Sequence, residues 1–275
     1  MWIDERLCRL CLLTSRLHDA GRLGLGNKIP ILLKELSTVL GESSRTEAFT
    51  RSFDIVKSLS NNPDPYAFYK SELKMIGRRL ALIARSYLES RGWDLVEALR
   101  ISAAANAIDT SVLGYTPLNL EEAIWDKPVL EELIEIPRDR EVYVALDNAG
   151  EAEIDMVLVE ALRVNGYEVK VAVRSNSYEI DVTYNDLEYP EVEVVRTPGN
   201  KPPVAYLEGF VIAKGIANLE AQLEYGRART LHLLRAKCDV LARLLNVPKN
   251  SPVIVTGETA RKLLGEYTVM LNNHL

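Results

Sequence analysis

The chain has 275 residues, 47% of them hydrophobic, and a formal net charge of −6. That length suits one large domain or two modest ones around a sizeable core, and the acidic balance argues against a nucleic-acid partner, which would favour a basic surface. No apolar run approaches the roughly 20 residues that cross a bilayer, so no membrane partner is expected.

The first half reads as helices. The stretch "DERLCRLCLLTSRLHDAGRL" begins at Asp4 and places Leu7, Leu10, Cys11 and Leu17 at helical spacings. Its charges interrupt any secretory leader. The next helix start falls near Pro65, and "SELKMIGRRLALIARSYLES" carries Leu73, Ile76, Leu80, Ile83 and Tyr87 in helical register. "DLVEALRISAAANAID" continues the pattern, ending in the polar pair Asn106 and Asp109. The charge-dense segment 126–140 divides a helical part, 1–137, from a second part, 138–275.

From there the pattern changes. "REVYVALD", "YEVKVAVRS", "EVEVVRT", "EGFVIAKG" and "SPVIVTGE" read as strands. Between them, "AEIDMVLVEALRVNG" reads as a helix stopped by Gly166, and "ANLEAQLEYG" and "TARKLLGEY" as further helices. Such alternation predicts an α/β fold: a doubly wound, largely parallel sheet with helices on both faces.

Ligands of open α/β sheets bind beyond the carboxyl ends of the strands. The first strand ends in Asp147-Asn148, followed by Gly150-Glu151; the segment after the second offers Asp181 and Asp186; the fourth ends in Lys214-Gly215, followed by Asn218 and Glu220. If these tips converge, two carboxylates and an amide oxygen form a hard-oxygen site for Mg²⁺ or Mn²⁺, and a lysine supplies the counter-charge for a phosphate. Asn148 serves equally well as an ordinary helix N-cap. Arg174 and Ser175 follow a strand, either to meet phosphate or as a solvated loop. Cys8 and Cys11, one helical turn apart with no second pair, read as packing, as does Cys238. An odd count of three cysteines points to a reducing compartment, and a cytoplasmic location is expected. His232 and His274 have no matched partners for a catalytic triad.

"ALDNAGE", "IDVTYND" and "VIAKGIANLE", in this order, resemble the damage-control phosphatase family, also known as domain of unknown function 89. "ERLCRLCLLTSRL" resembles the Cys-x-x-Cys helix of its prokaryotic branch, "NPDPYAFYKSEL" and "ANAIDTSV" its middle segments, and "LLRAKCDVLARLLNV" a stretch near its C-terminus. The resemblance implies a metal-dependent phosphatase acting on small phosphorylated metabolites, such as sugar phosphates or phosphopantetheine-like compounds. It implies a divalent cation (Mg, Mn, Co or Ni) on Asp147, Asn148 and Asp181, a phosphate-facing Lys214 with Asn218 beside it, and a cleft wall from Asn106 and Asp109; Glu151, Arg174 and Ser175 are further candidate substrate contacts. Asp181 stands in Ile180-Asp181-Val182-Thr183 where the family usually shows Asn-Asp-Ala-Thr. Water activated by the cation would attack phosphorus, with Asp181 or Glu151 receiving its proton. The rivals are a methyltransferase using S-adenosylmethionine, weakened because no Gly-x-Gly-x-x-Gly follows the first strand, and a noncatalytic metabolite-binding protein.

Overall fold

Side-chain alternation along the strands fixes two faces of one sheet. In β2 (Val142–Ala145), β3 (Val169–Val173), β5 (Phe210–Lys214), β6 (Arg229–Arg235) and β7 (Pro252–Thr256), one set of side chains joins the largest apolar cluster: Val142, Val144, Val171, Phe210, Ile212, Leu231, Leu233 and Ile254. The other set, including Ala145, Ala172, Val211, Leu234, Val253 and Val255, packs on the opposite side. The computed structural model describes residues 1–108 and 112–272. These build a seven-stranded sheet of order β1-β7-β6-β5-β2-β3-β4, with β1 (Leu130–Glu131) and β4 (Val194–Arg196) at its edges. Every neighbouring pair is parallel except β6 with β7. The connection between those two strands contains only the short α9 (Asp239–Leu244) and returns at the same end of the sheet, which makes the pair antiparallel. The α/β architecture expected from the sequence is the one found, and the charged segment 126–140 itself supplies β1.

Helices cover both faces. α4 (Ala67–Ser90), α5 (Leu95–Ala105) and α7 (Ala149–Val164) pack on one; α8 (Gly215–Tyr225) and α10 (Gly257–Asn272) pack on the other. α1 (Glu5–Arg22), α2 (Ile29–Val39) and α3 (Arg45–Ser60) precede them in sequence, and short α6 (Leu120–Ala123) follows α5. Asp4, Ser44 and Asp94 cap α1, α3 and α5 by accepting backbone N–H bonds.

Two helix faces differ from the apolar pattern. In α1 the buried stripe is Cys8, Leu12, Ser15, Arg16, Asp19 and Ala20, while Leu10 and Leu17 are exposed. A buried ion pair occupies positions that a count of apolar residues assigns to solvent. In α4 the buried stripe is Leu73, Gly77, Leu80, Ala84 and Leu88, while Ile76 and Ile83 face outward. The small residues decide the matter, because they let α7 come close. A Cβ at Gly77 would overlap the Gly150 carbonyl oxygen, and one at Gly150 would lie 2.9 Å from the Leu73 carbonyl oxygen.

Gly77→Ala is therefore expected to lower stability by about 1–3 kcal/mol through overpacking, read as a lower urea midpoint at unchanged slope. A second expectation concerns His232, which is wholly buried in β6 with neither ring nitrogen hydrogen-bonded among the described residues. Burial drags its pKa from 6.5 to about 3. The unfolded chain therefore binds this proton first. The stability from neutral His232 is complete above about pH 6.5 and drains away as the pH falls toward 3. Comparing His232→Leu with the parent by thermal melts at about pH 7 and about pH 4.5 should show a smaller acid loss in the variant; equal losses would contradict this.

Candidate active site

β2 runs out at Leu146, and Asp147 and Asn148 lead into α7. Asn148 holds the N-cap position in extended conformation, yet its side chain does not cap the helix. Its Nδ2 instead donates to Glu151 Oε1 at 2.9 Å and to the Ile108 carbonyl at 3.1 Å. Fixing the nitrogen this way points the amide oxygen to the opposite edge. The segment 180–182 then runs alongside: Ala149 donates its N–H to Ile180 at 2.9 Å, and Val182 donates to Asp147 at 2.7 Å. Asn148 and Asp181 thus form an antiparallel bridge. Residues opposed in this way keep their Cβ atoms about 4.5–5.5 Å apart on one face. Asp147, Asn148 and Asp181 line one cleft open to solvent, bordered by Cys11, Arg45, Phe49, Arg174, Tyr178 and Glu220.

The electrostatics of this corner are strained. Burial pushes the Asp181 carboxyl up to about 8; Arg174 opposes that rise, and the charges of Asp147 and Glu179 add to it. Arg174 holds Asp181 Oδ2 through Nε, donates through Nη1 to the Asn200 carbonyl at 2.7 Å, and lies over the Tyr178 ring at 4.5 Å. Gly215 has φ +74° and presses on the Asp147 carboxylate, where any Cβ would overlap it. α8 begins at this glycine and α7 just after Asn148, so two helix N-termini converge on the cleft.

Lys214 departs from expectation. Strand alternation places it on the Phe210–Ile212 face, beneath α7. There its amine meets Asp155 Oδ1 at 3.0 Å and Ser102 Oγ at 3.1 Å, wholly buried and outside the cleft lining. Glu151 is also sealed behind the site. It accepts from Asn106 at 2.7 Å, Asn148 at 2.9 Å and the Ile108 N–H at 3.2 Å. Burial raises its pKa, against the opposing charges of Lys237 and Lys214. Two residues further along α7, Glu153 accepts from Tyr189 Oη at 2.6 Å.

Asn106 stands behind the acids rather than in the cleft wall. It donates to Asp147 Oδ2 at 3.1 Å and to Glu151, and it accepts from the Arg235 N–H at 3.2 Å. Asn218 spends its amide on the carbonyls of Lys214 and Leu146 and on the N–H of Val204. Ser175 is exposed and donates to the Thr197 carbonyl, on a neighbouring groove with Asn61 and Ser177. Asp186 pairs with Lys70 at 2.8 Å and closes a capping box with Thr183. Asp109 and His274 lie outside the described residues. Among the described residues, no group of three or more His, Cys, Asp or Glu side chains has the spacing to hold a metal; the donor set here is two acids and one amide.

Several residues in the cleft or packed behind it were not evident from the sequence pattern. Arg45 pairs with Glu220 across the cleft. Arg16 is wholly buried, pairs with Glu179 and with Asp19 at 3.1 Å, and faces the rings of Phe53 and Tyr178. Glu179 takes a left-handed φ of +45° beside Asp181. Lys237 reaches the Ile108 carbonyl at 2.7 Å. Cys11 and Cys238 line the cleft, and Cys8 packs in the second apolar cluster.

The family model described as "Damage-control phosphatase ARMT1-like domain" matches residues 8–193, a span that contains Asp147, Asn148 and Asp181. The chain belongs to this damage-control phosphatase family. A damage-control phosphatase of Pyrococcus horikoshii is 30% identical over 226 residues, 73% of this chain and 77% of its own. One from Archaeoglobus fulgidus is 24% identical over 274 residues, 88% of this chain and 94% of its own. The crystal structure of a duf89 family protein from Pyrococcus horikoshii matches with a TM-score of 0.72 at 24% identity, covering 91% of this chain and 97% of that one. The likeness to that structure shows a shared fold. Lys214, Asn218 and Lys237 lie beyond the segment matched by the family model.

Arg16→Met would remove the buried guanidinium that pairs with both Glu179 and Asp19 beside the cleft. An expected loss of about 3–5 kcal/mol follows, measured by denaturant unfolding; a loss under about 1 kcal/mol, the range of a surface pair, would contradict the role given to this contact.

Proposed function

We propose that this chain hydrolyses phosphate monoesters of small metabolites, using a divalent cation held by Asp147, Asn148 and Asp181. The bridge that sets Asp181 opposite Asn148, beside Asp147, carries the reading. The donor set fits a hard cation such as Mg²⁺, Mn²⁺, Co²⁺ or Ni²⁺. Burial lifts the Asp181 carboxyl to about 8, and the neighbouring Asp147 charge adds to that rise, so a bound cation would favour the ionised pair. When bound, such a cation acidifies water and neutralises phosphoryl charge.

The chain's own residues do the rest. Asn106, donating to Asp147 and Glu151, and Glu151, accepting from Asn148, fix the first strand tip from behind. Arg174 orients Asp181 from the cleft side. The N-termini of α7 and α8 favour the phosphate's negative charge. Lys214 and Lys237 act from beneath, offsetting the acids without touching substrate. Because Glu151 is sealed behind the site, Asp181 is the carboxylate we assign to receive the proton of attacking water. Phe49, Tyr178 and Ile216 give the cleft apolar walls, and Arg45 with Glu220 gives it a polar one. Such lining suits a sugar phosphate or phosphopantetheine-like ester. No glycine-rich loop follows β2, so nothing here favours a methyltransferase.

Phosphate release from a panel of such esters should require added Mg²⁺, Mn²⁺, Co²⁺ or Ni²⁺ and stop with chelator. Asp147→Ala and Asp181→Ala should each cut turnover by more than about a hundredfold. Unchanged turnover in either variant would remove the proposed centre, and no hydrolysis of any ester by the parent would favour a noncatalytic binding protein.

A further inference from the structure

The outer face of α4 is unusually apolar for a surface without a partner. Phe68, Met75, Ile76, Leu82 and Ile83 are 76%, 67%, 40%, 65% and 49% exposed. They fall on one helix face, since Phe68, Met75 and Leu82 are seven residues apart, as are Ile76 and Ile83. The stripe is about 22 Å long at 1.5 Å per residue. Large apolar side chains exposed together in this way mark interaction sites. Exposed Glu72 and Arg79 lie along the middle of the same stripe, also seven apart.

We propose that this face docks a second copy of the chain, with the two α4 helices antiparallel across a two-fold axis between Met75 and Ile76. The order of charges selects this partner and this direction. In such a pair, residues whose numbers sum to 151 lie opposite each other: Phe68 meets Ile83 (68 + 83), Glu72 meets Arg79 (72 + 79), and Met75 meets Ile76 (75 + 76). Each contact then occurs twice, as an isologous interface requires. A parallel pairing would set Glu72 on Glu72 and Arg79 on Arg79, which repels. Within the chain Arg79 pairs with Glu121, but those side chains are 63% and 50% exposed, so giving up that contact costs little. The flanking Arg78 is committed to Glu188 and Glu153 and frames the patch. The inner face of α4 grips α7 at Gly150, so the interface lies one helix away from the cleft and leaves it open.

Sedimentation equilibrium of the full chain tests this independently of any catalysis. The parent should sediment at twice the chain mass with a dissociation constant in the micromolar range or tighter, the range of specific protein pairs. Glu72→Arg should raise that constant at least about tenfold, close to 1.4 kcal/mol. Adding Arg79→Glu to it should restore the parent value to within about threefold. Met75→Glu should give a monomer with an unchanged circular dichroism spectrum. A parent that stays monomeric at about 100 μM would overturn the proposal. So would a dimer indifferent to Glu72→Arg and Met75→Glu, or a double charge swap that fails to restore association.

Discussion

Two backbone hydrogen bonds hold the candidate site together: Ala149 to Ile180 and Val182 to Asp147. They seat the 180–182 segment against the tip of β2 and oppose Asp181 to Asn148. Side-chain chemistry alone would drive these groups apart, because two buried carboxylates repel. The main chain overrides that repulsion, and the surroundings offset it. Arg174 pairs with Asp181, Asn106 donates to Asp147, and two helix N-termini face the acids. Beneath this layer, Lys214 with Asp155 and Ser102, and Lys237 with the Ile108 carbonyl, form a second set of charges that never reaches the cleft. Inner residues of this kind orient the groups that meet a ligand.

The N-terminal helices take part in building that geometry. Arg16 of α1 pairs with Glu179, and Lys57 of α3 donates to the Ser177 carbonyl at 3.2 Å. Ser177 donates to Asp64 at 2.7 Å, and Asn200 to Asp54 at 3.2 Å. Together these contacts pin the 174–183 loop, and with it Asp181, to elements far away in sequence. The Gly77–Gly150 contact does the same for α7 from the other side. The largest apolar cluster accordingly draws on both halves of the chain.

Much of the frame was legible in the sequence. Short Val-rich runs marked β2, β3, β4, β5 and β7, though not the longer, Leu-rich β6, and the polar residues after "YVAL" marked the strand tip that carries Asp147 and Asn148. Asp181 was legible only through family resemblance, since no periodicity says whether it or Asp186 pairs with that tip; Asp186 in fact serves Lys70 and a turn. The direction of Lys214 was available from strand parity, because it shares a face with Phe210 and Ile212, yet its position at a strand end invited a phosphate-facing reading. Arg16 could not have been found locally, as its partner Glu179 lies 163 residues away. Ile76 and Ile83, in helical register with Leu73 and Leu80, nevertheless face outward, because Gly77 and Ala84, not larger residues, form the contact with α7.

The most direct measurement is anomalous diffraction from crystals of the full chain soaked in Mn²⁺. A single strong peak within coordination distance of the Asp147 carboxylate, the Asn148 amide oxygen and the Asp181 carboxylate is the predicted result. A peak elsewhere, or none in crystals soaked at millimolar Mn²⁺, would contradict the claim that these residues form one cation site.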